Sequence, residues 1–327
     1  MYELEAERVA EIVRERGYSR VSLQFPEGLK EHALEIARRV RRSTGAEVMV
    51  SANPCYGACD TADAQAASLG AEAVFHFGHA GMLEKTEVPV HYVEVRMHTP
   101  LRVLEDNLEV LERRVGLVTT VQHVHVLDRV AEMLRSRGFE VHVGLPGGRV
   151  RHPGQVLGCS FRCAKSIAER VDCFAYIGSG DFHPLGVALA TGRRVLAFDV
   201  LTGEVRDMAE KRERFLRRRW AAVARARGAR SFGIIIGEKP GQRRVGLALR
   251  LESMLESRGY EAYLLHLSEV VPDNLFAFRK LDAFVCTACP RVPIEEGSRF
   301  PKPVLTPQEL EIAIGARDWE SYEMDEM

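Results

Sequence analysis

Neither sign of charge is in excess in this sequence: 45 lysines and arginines stand against 46 aspartates and glutamates, for a formal net charge of −1. Nonspecific nucleic-acid binding draws on surplus basic side chains that displace phosphate counterions, so no direct contact with nucleic acid is expected. No apolar run comes near the roughly 20 residues that span a bilayer. The opening Met1-Tyr2-Glu3-Leu4-Glu5 also lacks the basic-then-apolar layout of a secretion signal. A protein that stays in the cytoplasm, with no membrane segment, is the expectation. Complete disulfide pairing within one chain is excluded as well, because the cysteines number seven. In a reducing compartment they are thiols or metal ligands.

What is present is a repeated plan of strands and helices. The 327 residues fit about two average domains, or three of about a hundred residues that each hold a core. An opening helix ended by Gly17 precedes a strand at 20–25, a helix at 28–42 and a second strand at 47–51. The same order returns at 115–121, 126–137 and 140–143, and again at 231–236, 242–258 and 261–265. Two of these helices close alike, in Ser136-Arg137-Gly138-Phe139-Glu140-Val141 and Ser257-Arg258-Gly259-Tyr260-Glu261-Ala262, with glycine placed as a C-cap. A period of about 100 residues predicts an internal triplication.

The fold class expected is therefore α/β: three similar domains with parallel sheets flanked by helices, around a pseudo-threefold axis. The domains run over 1–100, 101–205 and 206–327, with boundaries near Pro100 and in the charged stretch from Glu204 to Arg219. Leu104, Leu108, Leu111 and Val115 share a helical stripe, as do Leu247, Leu251, Met254 and Leu255. The basic run from Lys211 to Trp220 reads as a solvated connecting helix, with a docking face for an acidic partner as the other reading. The acidic end from Glu320 to Met327 reads as a loosely ordered tail.

Six of the seven cysteines fall into close pairs: Cys55 with Cys59, Cys159 with Cys163, and Cys286 with Cys289. Cys173, within an apolar strand, reads as core. Half a zinc knuckle at Cys286-x-x-Cys289 lacks a second CxxC or a nearby histidine pair. A redox dithiol is open to any pair, although Pro290 follows Cys289 where a thioredoxin-like motif would open a helix. The third interpretation takes one cysteine of each pair, and so one from each domain, as ligands of a single four-iron four-sulfur cluster with one iron left open. The compact CxxxCxxC signature of radical S-adenosylmethionine enzymes would need a further cysteine at Ala62 or Ser166, and neither is one. Cys59, Cys159 and Cys289 all lie in loops after strands, where parallel sheets place their ligands.

One more loop, Ile177-Gly178-Ser179-Gly180-Asp181-Phe182-His183-Pro184, is a glycine turn before a helix. Its backbone N–H groups suit a carboxylate, and it lacks P-loop and Rossmann spacing. In Gln122-His123-Val124-His125, one buried satisfied histidine and one exposed one are expected in preference to a metal pair.

At this point the motifs become specific. Asn53-Pro54-Cys55-Tyr56-Gly57-Ala58-Cys59-Asp60, Pro153-Gly154-Gln155-Val156-Leu157-Gly158-Cys159, Ile177-Gly178-Ser179-Gly180-Asp181-Phe182-His183-Pro184-Leu185-Gly186 and Ala288-Cys289-Pro290-Arg291-Val292-Pro293 together resemble the archaeal enzymes that perform the first step of diphthamide synthesis. The likeness extends to Pro26-Glu27-Gly28-Leu29 and to Lys302-Pro303-Val304-Leu305-Thr306-Pro307. It implies Cys59, Cys159 and Cys289 as the metal ligands, with Cys55, Cys163 and Cys286 as bystanders.

The resemblance also implies cleavage of the sulfur–Cγ bond of S-adenosylmethionine and transfer of a 3-amino-3-carboxypropyl group to a histidine of elongation factor 2. A homodimer and an external electron donor are implied with it. The cofactor contacts expected are Gly178, Ser179, Gly180, His183, Gln242 and Arg291, with His183 also as the catalytic residue. Two other readings share the plan of one cysteine per domain. One is a quinolinate-synthase-like dehydratase that uses the open iron as a Lewis acid, and the other is a noncatalytic electron-relay subunit.

Overall fold

The computed structural model describes residues 2–327. Three separate parallel sheets follow one another along the chain, their central strands buried on both faces and their edge strands partly exposed. The first sheet contains Arg20–Gln24, Glu47–Val50, Ala73–Phe77 and Val90–Val93. The second contains Arg114–Thr119, Glu140–Val143, Cys173–Gly178 and Arg194–Asp199, and the third Ser231–Gly237, Glu261–Leu267, Ala283–Cys286 and Val304–Leu305. In all three, the spatial order of these four strands is second, first, third, fourth. The second sheet carries one extra antiparallel strand, Val205–Asp207, which runs past the expected boundary at residue 205.

The repetition reaches into the connections. After each sheet's first strand comes a short 3-10 turn, at Glu27–His32, Val121–Val126 and Pro240–Gln242. The helices that follow are Ala33–Thr44, Leu127–Ser136 and Val245–Glu256, so the first and third begin five and three residues later than sequence periodicity predicts, and the second one residue later. In the second sheet Cys173, Ala175 and Ile177 face one apolar cluster, while Phe174 and Tyr176 face the other. Each fully buried side chain of that size contributes on the order of 2 kcal/mol through the area it removes from water.

Three expectations from the sequence do not survive. The leucine stripe from Leu104 to Val115 forms no continuous helix. A short helix at Arg102–Glu105 and a 3-10 turn at Leu108–Val110 lead into the strand Arg114–Thr119. Val115 is claimed there by parallel pairing with Val141 and Cys173.

The basic helix, Ala209–Ala226, is not merely solvated. Arg219 points inward, with its Nε donating to Glu309 Oε1 at 2.7 Å and Nη2 to Glu309 Oε2 at 2.5 Å. It also donates to the carbonyls of Pro293 and Val304. The C-terminal tail is likewise docked. Met324 and Asp325 are buried, Asp325 pairs with Arg244, and the Met327 N–H donates to the Cys159 carbonyl at 2.9 Å. An acidic segment that carries its own apolar anchor and faces a paired arginine is ordered by contacts that local composition does not reveal.

Candidate cluster site where three sheets meet

The carboxyl ends of the three sheets face one cavity of about 190 Å³, and its lining includes Cys59, Cys159 and Cys289. Cys59 and Cys159 lie in corresponding loops, after the second strand of their sheets. Cys289 breaks the pattern, since it follows the third strand, Ala283–Cys286. The loops that correspond to it in the first two units supply His79 and His183 to the same lining. Loops after third strands thus contribute one donor from each unit, and the cavity sits at the switch points where strand order reverses.

Close backbone approach holds the three units together here. The Gly241 N–H donates to the Cys59 carbonyl at 2.9 Å. A β-carbon on Gly241 would stand 2.4 Å from the Cys59 β-carbon and 2.5 Å from its α-carbon, so only glycine fits. Arg149, from the second unit, donates to the Gly241 carbonyl of the third at 2.9 Å and to the Met82 sulfur of the first at 3.6 Å. Lys239 of the third unit pairs with Asp60 of the first at 2.9 Å and lies 4.2 Å over the Tyr56 ring. Gln242, nearly fully buried, donates from Nε2 to Cys59 Sγ at 3.4 Å.

All seven cysteines are free thiols. Burial raises the three in the cavity: Cys159 to about 11, Cys289 to about 12, and Cys59 also upward. Proximity adds to this, since Cys59 pushes up both Cys159 and Cys289. Three buried thiols facing one space repel as thiolates and need a cation to be stable in that form. Thiolate is the ligand iron–sulfur clusters take, so the donor set fits such a group. Loading it releases protons.

The other expected contacts divide. His183 lines the cavity and is kept neutral, its imidazole lowered to about 4 by burial and by the neighbouring Arg291. Arg291 lines the cavity too, stacked 4.2 Å over the Phe182 ring and paired with Glu295. Gln242 lies on the far side of Cys59, in an adjoining cavity that Cys289 and Arg291 also border.

Gly178, Ser179 and Gly180 are not part of either lining. The glycine turn exists, with Gly180 at φ +73°, but its N–H faces the Asp199 carboxylate at 3.4 Å. Ser179 offers its carbonyl to the Tyr176 hydroxyl. The carboxylate that this turn meets is the protein's own. Arg149 went unnoticed in the sequence; His79 and Gly241 lie in loops after strands, His76-Phe77-Gly78-His79 and Lys239-Pro240-Gly241-Gln242-Arg243, whose position was legible but whose individual roles were not.

Among the other histidines, His123 is buried, its Nδ1 donating to Thr99 Oγ1 at 2.7 Å while the Thr99 hydroxyl donates to the Met97 carbonyl. His125 is exposed. Cys173 is core.

Three parallel sheets of identical strand order, with one cysteine from each brought to a shared cavity, define a triplicated α/β protein with a sulfur-lined centre. Within that class, the chain belongs to the diphthamide synthesis protein family, which it matches over residues 25–324. It is 39% identical over 331 residues to the 2-(3-amino-3-carboxypropyl)histidine synthase of Pyrococcus horikoshii, covering all of this chain and 94% of that one. It is 32% identical to the Homo sapiens 2-(3-amino-3-carboxypropyl)histidine synthase subunit 1, over 99% of this chain and 75% of the relative. The crystal structure of Dph2 from Pyrococcus horikoshii with a 4Fe-4S cluster superposes with a TM-score of 0.92, covering 100% of this chain and 94% of that one.

Proposed function

We propose that this chain is a 2-(3-amino-3-carboxypropyl)histidine synthase, an iron–sulfur transferase of the first step of diphthamide biosynthesis. The observation that carries the reading is the meeting of Cys59, Cys159 and Cys289 on one cavity, in a chain similar over its whole length to a relative of that name. In this reading the three thiolates hold a four-iron four-sulfur cluster, which supplies an electron and one iron free of protein ligands. The co-substrate is S-adenosylmethionine, cleaved between sulfur and Cγ, with methylthioadenosine as the by-product. The acceptor is a histidine of elongation factor 2.

Residues of this chain supply the binding and orientation. Arg291, held flat against Phe182, offers a guanidinium to the carboxylate of the co-substrate. His183, neutral across the physiological range, serves as an acceptor towards its ammonium end. Gln242 fixes the Cys59 sulfur by the hydrogen bond described above, which tunes the ligand rather than the substrate. The same reading takes the protein to act in the cytoplasm as a homodimer fed by an external electron donor. No described helix is long and apolar enough to cross a membrane.

The test is anaerobic reconstitution with iron and sulfide, then addition of dithionite, S-adenosylmethionine and elongation factor 2. Methylthioadenosine and a protein adduct of one aminocarboxypropyl group are expected. If 5′-deoxyadenosine is the only nucleoside product, the proposed bond cleavage is wrong.

A further inference from the structure

Cys55 differs from the other two thiols that pair in sequence with the cavity cysteines. Cys163 and Cys286 each donate to a main-chain carbonyl, of Leu145 at 3.3 Å and of Cys289 at 3.5 Å, an ordinary arrangement for a buried thiol. The Cys55 sulfur instead gathers with a ring nitrogen of His76 and one of His79, all three atoms lying within 4.8 Å of one another. Cys55 and His76 are buried, at 4% and 0% exposure, and His79 reaches the cavity wall.

The surroundings aim these atoms at a common point. Gln24 Nε2 donates to the Asp60 carbonyl at 2.7 Å, which fixes Gln24 Oε1 as an acceptor. That oxygen takes the Ala62 N–H at 3.2 Å and His76 Nδ1 at 2.8 Å. His76 therefore carries its proton on Nδ1 and presents the Nε2 lone pair to His79 Nδ1, 2.9 Å away. A histidine whose outer N–H is tied to a carbonyl while the lone pair of the other nitrogen points at a second donor has the orientation metal-ligating histidines adopt; here that lone pair accepts the His79 Nδ1 proton, which a cation would displace.

We propose that Cys55 Sγ, His76 Nε2 and His79 Nδ1 form a mononuclear site for a divalent cation of the zinc class, beside the cysteine cavity and distinct from it. One thiolate and two imidazoles, with a water completing a tetrahedron, suit zinc. On loading, the Cys55 proton goes to solvent and the His79 Nδ1 proton moves to Nε2; no electron is transferred. His79 at the cavity wall provides the way in. The site fastens the loop that carries Cys59 to the end of the strand Ala73–Phe77, whatever Cys59 itself binds.

The experiment uses the full chain with Cys59, Cys159 and Cys289 all changed to serine, so that no iron–sulfur cluster forms, titrated anaerobically with Co²⁺. Saturation at one equivalent is expected, with thiolate-to-cobalt charge-transfer absorption and the intense visible bands of four-coordinate cobalt. Adding Cys55→Ser abolishes the charge-transfer band, and His79→Gln weakens binding by about tenfold or more. His142→Ala, half-buried in the second unit and outside both cavities, leaves the titration unchanged. Absence of a charge-transfer band, or a band that persists in Cys55→Ser, overturns the proposal. Should the triple variant fail to fold by circular dichroism, zinc in the purified wild-type chain decides the matter. About one atom per chain, lost in Cys55→Ser, supports the site, and background zinc refutes it.

Discussion

Arg149 touches all three units at once: it belongs to the second, donates to the Met82 sulfur of the first, and holds the carbonyl of Gly241 in the third, whose N–H meets the Cys59 carbonyl. Nothing near Arg149 in the sequence singles it out from its neighbours, since its role exists only once distant loops have met. Cysteine pairs, in contrast, are conspicuous in the sequence; what it lacks is the reason one member of each pair reaches the cavity. Cys163 and Cys286 face main-chain carbonyls and Cys55 faces histidines.

His123 yields a pH dependence. Burial beside Thr99 holds its imidazole down to about 4, against an ordinary value of 6.5. Below about 6.5 the unfolded chain takes up a proton that the folded one refuses. Stability present above that pH is thus lost as pH falls towards 4, by on the order of 3 kcal/mol from this residue. Urea unfolding of His123→Gln from pH 7 to 4.5 should show a flatter decline than the wild-type chain; parallel declines would remove His123 as a source.

Among the elements, strands were the most legible, because the central ones are covered on both faces and their apolar runs are continuous. Two helix starts lie later than the sequence suggests because 3-10 turns at Glu27–His32 and Pro240–Gln242 precede them, whereas the helix after the turn at Val121–Val126 begins within one residue of its expected start. The residues in these turns are compatible with helix, and what tightens them is the approach of the cavity loops, as at Gly241. The helix Pro307–Ala313 opens with a capping box, Thr306 to Glu309, which the sequence does advertise. Glu309 also receives Arg219 from the helix Ala209–Ala226, with both side chains buried. Removing one partner of such a pair leaves an uncompensated charge, so Glu309→Gln should cost roughly 3–5 kcal/mol in chemical denaturation. A loss under about 1 kcal/mol would mean that water enters and rescues Arg219.

On the scale of the whole molecule, triplication supplies three sheet ends, and the cavity lies where they converge. That much follows from the repeat period and from the position of ligands in parallel sheets. The shift of Cys289 to a third-strand loop does not follow, nor does the docked tail that ties Arg244 to the Cys159 loop through Asp325 and Met327. The junction is intolerant at Gly241, where the obstacle to a β-carbon is Cys59 backbone rather than a movable side chain. Gly241→Ala should leave the circular dichroism spectrum intact and cut iron bound after reconstitution severalfold; normal iron loading would show that the units can part without losing the site.

The central claim is that Cys59, Cys159 and Cys289 together hold one cluster, and the most direct measurement is iron and sulfide content, with visible absorbance, across single cysteine variants reconstituted anaerobically. The account predicts about four irons and four sulfides per wild-type chain, with severe loss in Cys59→Ser, Cys159→Ser and Cys289→Ser and retention in Cys163→Ser, Cys173→Ser and Cys286→Ser. A full cluster in any of the first three variants, or its loss in Cys163→Ser and Cys286→Ser instead, would contradict it.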